Sequence, residues 1–159
     1  MSAEQVEHWA EHTLHPAARR IVWAMIRRHP RALRSYAAEG SLVLPRFPLR
    51  ALRGPAILAA VRAAGADDMT VRADLHELPE LLDRIDCWLA EGVLGGEPPT
   101  AADLSIAASL NLLLSLGDVE PIVRGRPCEA LARRLCRNAP GGVPSRVAPD
   151  YWLPALGVA

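Results

Sequence analysis

The stretch from Leu75 to Leu110 constrains the fold more than any other, because it joins an amphipathic helix, a turn that no helix can cross and a capped apolar helix. Leu75, Leu78, Leu82, Ile85 and Leu89 recur three and four apart, which puts them on one stripe and leaves Asp83, Arg84 and Glu91 mostly off it. This helix is predicted to end at Gly92. Gly95, Gly96, Pro98 and Pro99 can extend neither a helix nor a central strand, so they make the turn. Thr100 followed by Asp103 has the form of a capping box, a hydroxyl at the N-cap and a carboxylate three residues on. The helix it opens, 101–115, carries Leu104, Ile106, Ala107, Ala108, Leu110, Leu112, Leu113 and Leu114. Being apolar almost all round, it is expected in the middle of a bundle.

The rest of the chain reads the same way. Ser2 with Gln5 forms a second capping box, opening a long helix whose buried face holds Val6, Trp9, Thr13, Ala17, Ile21, Ala24 and Met25. Pro16 predicts a kink near His15, since the residue before a proline is pushed out of the helical region. His29 and Pro30 end the helix or begin its next segment, and 31–39 is helical up to Gly40. Residues 41–53 form an apolar connection with Pro45 and Pro48. Pro55 starts a helix that runs through Ile57, Leu58 and Val61 to Gly65, and Asp67, Asp68 and Thr70 are candidate caps for the next one. Residues 118–127 read as a loop and 128–138 as a short helix burying Leu131 and Leu135. Pro140, Gly141, Gly142, Pro144 and Pro149 leave 140–159 as an irregular tail, docking on the bundle through Tyr151, Trp152 and Leu153. No segment alternates as a strand does. The expectation is one all-α domain over residues 1–159, a helical bundle of about five to seven helices.

Half of the 159 residues are hydrophobic, enough for a sizeable core in a single domain. All 18 basic residues are arginine and 18 acidic residues cancel them, so net charge points to neither a nucleic-acid footprint nor an acidic tail. No apolar run approaches the roughly 20 residues of a membrane span. The N-terminal MSAEQVEHWAEH has no basic segment followed by an apolar core, which predicts no secretory leader and a cytoplasmic protein. The three cysteines, Cys87, Cys128 and Cys136, form no C-x-x-C pair and are expected as reduced, buried thiols.

The central residues also carry a family likeness. Leu81, Leu82, Asp83, Ile85, Asp86, Trp88, Leu89, Gly96, Pro99, Thr100, Ala102 and Asp103 resemble the best-marked motif of the glutathione transferase C-terminal, all-helical domain. In that family the motif is a folding element of the buried helix and not a catalytic site. The likeness covers nearly the whole chain and is specific only at this motif. It implies that glutathione, and the Tyr, Ser or Cys that activates its thiol, belong to a thioredoxin-like domain absent from this chain. This chain itself would hold no cofactor. Its part would be the hydrophobic-site and dimerisation half, with Trp23, Arg27, Tyr151 and Trp152 beside a small hydrophobic electrophile. A core role for the tryptophans stays open. So does a stand-alone protein-interaction module of the same fold, which would show apolar residues on the outer face of the first helix.

No catalytic constellation stands out in the chain itself. Ser105, Ser109 and Ser115 have no histidine near them in sequence, and G-x-S-x-G does not occur. His8, His12 and His15, at spacings of four and three, are the one pattern that could hold a divalent ion. About ten arginines lie between Arg19 and Arg62 against the single acid Glu39, while 67–103 is acidic. Either neighbouring helices of opposite charge satisfy each other, or Arg19, Arg20, Arg27, Arg28, Arg31 and Arg34 form an anion-binding surface. Only Trp23 interleaves with them, so nucleic acid is not the expected partner.

Overall fold

A computed structural model describes residues 2–38, 53–138 and 141–154. Every regular element among them is helical, and the only β-type pairing is an isolated parallel bridge between Leu116 and Val143. The expected connection 41–53 lies outside the described residues except for Arg53, as do Gly40 and Pro140.

Helix α1 (Ala3–Trp9) starts with the expected box: Gln5 N–H donates to Ser2 Oγ, and Ser2 N–H to Gln5 Oε1 at 2.9 Å. It runs through a π-helical turn (Ala10–Leu14) directly into α2 (His15–Arg28). His15 is helical, at φ −63° and ψ −44°, so the residue before Pro16 is not pushed out of the helical region. Instead the turn before Pro16 widens, His15 N–H reaching back to Ala10 C=O. That accommodates a ring that donates nothing and crowds the carbonyl four residues back. A 3-10 turn (Pro30–Ala32) leads to α3 (Leu33–Ala38), and α4 spans Arg53–Ala64.

Helix α5 (Asp68–Ala90) begins at Asp67, whose Oδ1 accepts from Met69 N–H and Thr70 N–H. From this cap the structure carries one helix into the stripe, straight through Pro79. The stripe pays for that lost hydrogen bond, with Leu75, Leu78, Leu82 and Ile85 all completely buried. Gly92, at φ +71°, adopts the left-handed conformation that ends the helix. Trp88 meets Trp9 edge to face, ring centroids 4.8 Å apart, tying α5 to α1.

Helix α6 (Ala101–Leu114) packs against α1, the π turn and α2, and against α7 (Glu120–Val123) and α8 (Pro127–Leu135). It is central but not enclosed. Ala101, Leu104 and Ala108 face solvent, Leu104 being 52% exposed, because their spacing of three and four puts them on a face that no neighbour among the described residues covers. The short α7 falls in the stretch read as a loop, with Pro121 in its first turn. Helix α8 stops at Leu135, short of the expected Asn138.

Of the tail residues named for docking, Trp152 is buried, Leu153 is half-buried and Tyr151 is exposed. Ser35 Oγ and Gly142 exchange hydrogen bonds through the Gly142 N–H and C=O. A Cβ on Gly141 would fall 2.6 Å from the Tyr36 ring, so only glycine fits there. A last 3-10 turn (Asp150–Trp152) buries Trp152 completely.

Candidate functional site

The capping box is the best-built polar site in the molecule. Asp103 is wholly buried. Its Oδ1 accepts from Gly95 N–H at 2.6 Å, and its Oδ2 from Thr100 N–H and Thr100 Oγ1–H at 2.7 Å each. Thr100 Oγ1 accepts from Asp103 N–H at 3.3 Å. Burial pushes this carboxyl up, yet the donors from Gly95 and Thr100 outweigh it and hold it below the usual carboxylate range. Arg134 donates to Gly95 C=O from the far side at 3.1 Å. The carboxylate therefore fastens the turn to the helix start, and all its neighbours are spent on that task.

The four residues assigned to an electrophile have different surroundings among the described residues. Trp152 is the floor of a packed contact, with the Arg28 guanidinium stacked 4.3 Å from its ring centroid; its Nε1–H has no partner among the described residues. Tyr151 points out, 59% exposed. Trp23 is half-buried against the core. Arg27 lines a cleft of about 310 Å³ with Leu58, Val61, Arg62, Gly65, Ala66 and Asp67, to which neither tryptophan contributes.

The histidines diverge. His12 Nδ1 lies 2.8 Å from His8 C=O and the two rings sit 4.1 Å apart, whereas His15 turns toward α6. Among the described residues no group of three His, Cys, Asp or Glu is placed to hold a metal ion. His15 instead meets Ser109, a contact sequence distance concealed. Arg19 donates to His15 Nε2 at 3.1 Å, which puts the proton of the neutral ring on Nδ1, 3.4 Å from Ser109 Oγ. Ser109 in turn donates to Ser105 C=O at 3.1 Å. Each proton runs away from the direction a serine nucleophile needs, so this is a structural relay between helices.

The three thiols differ in their surroundings. Cys128 is buried, and burial together with the nearby Asp86 carboxylate pushes it up to about 12. Burial also raises Cys136. Cys87, expected to be packed, is exposed, because it shares the outer face of α5 with Asp83, Arg84 and Glu91. Asp86 has a task invisible in the sequence: it accepts from Cys128 N–H at 2.8 Å and from Arg126 at 3.1 Å, capping α8 from another helix.

Part of the arginine-rich segment is satisfied by acidic α5. Arg20 makes a two-pronged contact with Asp74, both bonds 2.7 Å, the Asp74 side chain only 8% exposed. Asp68 accepts from both Arg27 and Arg28. Two residues that sequence reading passed over make long-range contacts: Asp118 fixes the tail, accepting from the backbone N–H groups of Arg146, Val147 and Ala148, and Tyr36 ties α3 to the end of α6, its Oη 2.7 Å from Ser115 Oγ.

The outer face of the first helix is polar: its exposed residues are Ser2, Glu4, Gln5, His8, Glu11, His12, Arg19, Arg27 and Arg28. No helix among the described residues is long and apolar enough to cross a membrane. No family model, no curated protein and no solved structure matches this chain, so its own geometry carries the functional reading.

Proposed function

We propose that this chain is the substrate-side helical domain of a glutathione-transferase-like protein, working with a thioredoxin-like domain that is not part of these residues. The observation that carries the reading is the buried Asp103, which joins Gly95 and Thr100 through the residues on which the family likeness rests. In the complete protein the other domain would hold glutathione and stabilise its thiolate. The helical domain would present an apolar wall to the electrophile. The reading also agrees with the chemistry of the chain itself: Cys128 is held far from its thiolate form, and the His15 to Ser109 relay runs the wrong way for a nucleophile.

The metal-binding alternative lacks such support, since His15 points away from His8 and His12. The interaction-module alternative rested on an apolar outer face of the first helix, and that face is polar. The test is a conjugation assay with glutathione and 1-chloro-2,4-dinitrobenzene. The chain alone should give no turnover above the uncatalysed rate; robust conjugation by the chain alone would refute the division of labour.

A further inference from the structure

The cleft at Arg27 lies between the end of α2, the second half of α4 and the turn into α5. Its floor is apolar. Val61 and Ala66 are buried, while Leu58, 41% exposed, opens the floor to solvent. Arg27 and Arg62 stand on its rim, both exposed. Arg27 uses one nitrogen on Asp68, at 3.0 Å, and the rest of its fork has no partner among the described residues. Asp67 also lines the cleft, but its carboxylate is tied into the α5 cap by Met69 N–H, Thr70 N–H and the Thr70 hydroxyl. Asp68 is shared between Arg27 and Arg28. The cleft is lined by two guanidinium groups, Arg27 and Arg62, and one carboxylate, Asp67, an excess of one positive charge beside an apolar floor.

We propose that this cleft binds a small carboxylate with an apolar body, the body lying on Leu58, Val61 and Ala66 and the head group at Arg27 and Arg62. The volume of about 310 Å³ sits at the small end of ligand sites, which suits a short alkyl or single-ring acid. A guanidinium fork matches a carboxylate two-pronged, and one anion balances the residual charge. Gly65 at the mouth leaves the approach open, since even an added Cβ would meet nothing within 4 Å. The site excludes Trp23 and the tail, so it stands independently of the glutathione-transferase-like reading.

The test is an amide-detected NMR titration of the full chain with octanoate, 1-octanol and octylammonium, which share a tail and differ in charge. Octanoate should saturate with shifts at Leu58, Val61, Gly65 and Ala66, and bind about fivefold or more tighter than octanol, with octylammonium weakest. Arg27→Gln and Arg62→Gln should each weaken octanoate about two- to fivefold and leave octanol unchanged. Leu58→Glu, a substitution at an exposed position, should abolish octanoate binding. Should a variant fail to fold, salt on the unaltered protein decides: octanoate affinity should fall with ionic strength and octanol affinity should not. Equal affinity for octanoate and octanol, shifts centred elsewhere, or octanoate binding indifferent to salt would overturn the proposal.

Discussion

Replacing Asp103 by alanine is the sharpest perturbation of the fold. The carboxylate is fully buried and takes three donors within 2.7 Å, from Gly95 N–H, Thr100 N–H and the Thr100 hydroxyl. Hydrogen bonds to a charged group contribute about 1.5–3 kcal/mol each, and stranded backbone donors cost about 1–3 kcal/mol. These effects overlap, so Asp103→Ala should cost about 3–5 kcal/mol, the range for dismantling a buried charged group's contacts. That is a large share of the about 5–15 kcal/mol that holds a domain together. Asp103→Asn keeps the shape but turns an amide NH₂ against a donor, and should cost about 2–3 kcal/mol. Thr100→Ala, which removes only the cap hydroxyl, should cost about 1 kcal/mol. Urea unfolding followed by circular dichroism at neutral pH measures all three. The carboxyl is held below its ordinary value of 3.8 in the folded protein. Its contribution is therefore complete above that value and disappears as pH falls through the lower folded one. The deficit of Asp103→Ala should shrink on acidification below about pH 4. A deficit under about 1 kcal/mol at neutral pH, or one that does not change with acid, would refute the reasoning.

Alkylation with iodoacetamide at pH 8, read by peptide mass spectrometry, should modify exposed Cys87 first and leave Cys128 unreacted while the protein is folded, since its thiol is pushed up to about 12. Asp74→Ala should cost about 3 kcal/mol in thermal or urea unfolding by stranding Arg20, whereas Arg20→Met with Asp74→Leu should recover most of the loss. Asp118→Ala should leave the helical signal intact while amide hydrogen exchange rises at Arg146, Val147 and Ala148, whose N–H groups it accepts from.

What the sequence disclosed and what it hid divide by chain distance. Ser2 with Gln5, Asp67 with Thr70 and Thr100 with Asp103 are contacts within three residues, and all were legible as caps. The Leu75 to Ile85 stripe was legible because burial follows helical periodicity. Long-range polar partners were not: Arg20 with Asp74, Asp86 with Cys128, His15 with Ser109 and Asp118 with the tail are joined only by packing. Proline positions show the limit of local rules: His15 stays helical before Pro16 where a π turn makes room, and Pro79 passes inside a continuous helix whose stripe on either side is buried. Leu104 shows the limit of composition. An apolar residue on an apolar helix is enclosed only where a neighbour is available, and none among the described residues covers the Ala101, Leu104, Ala108 face. Of the residues assigned to a ligand, Arg27 lines a cleft among the described residues, whereas Trp152 is packed under Arg28.

Native mass spectrometry of the protein drawn from its own cell tests the central claim most directly. The 159 residues account for 17.2 kDa. A substrate-side domain should appear heavier by one thioredoxin-like domain, either in the same polypeptide or held non-covalently and lost on denaturation. A species of 17.2 kDa, or a simple multiple of it, with no thioredoxin-like component would contradict the account.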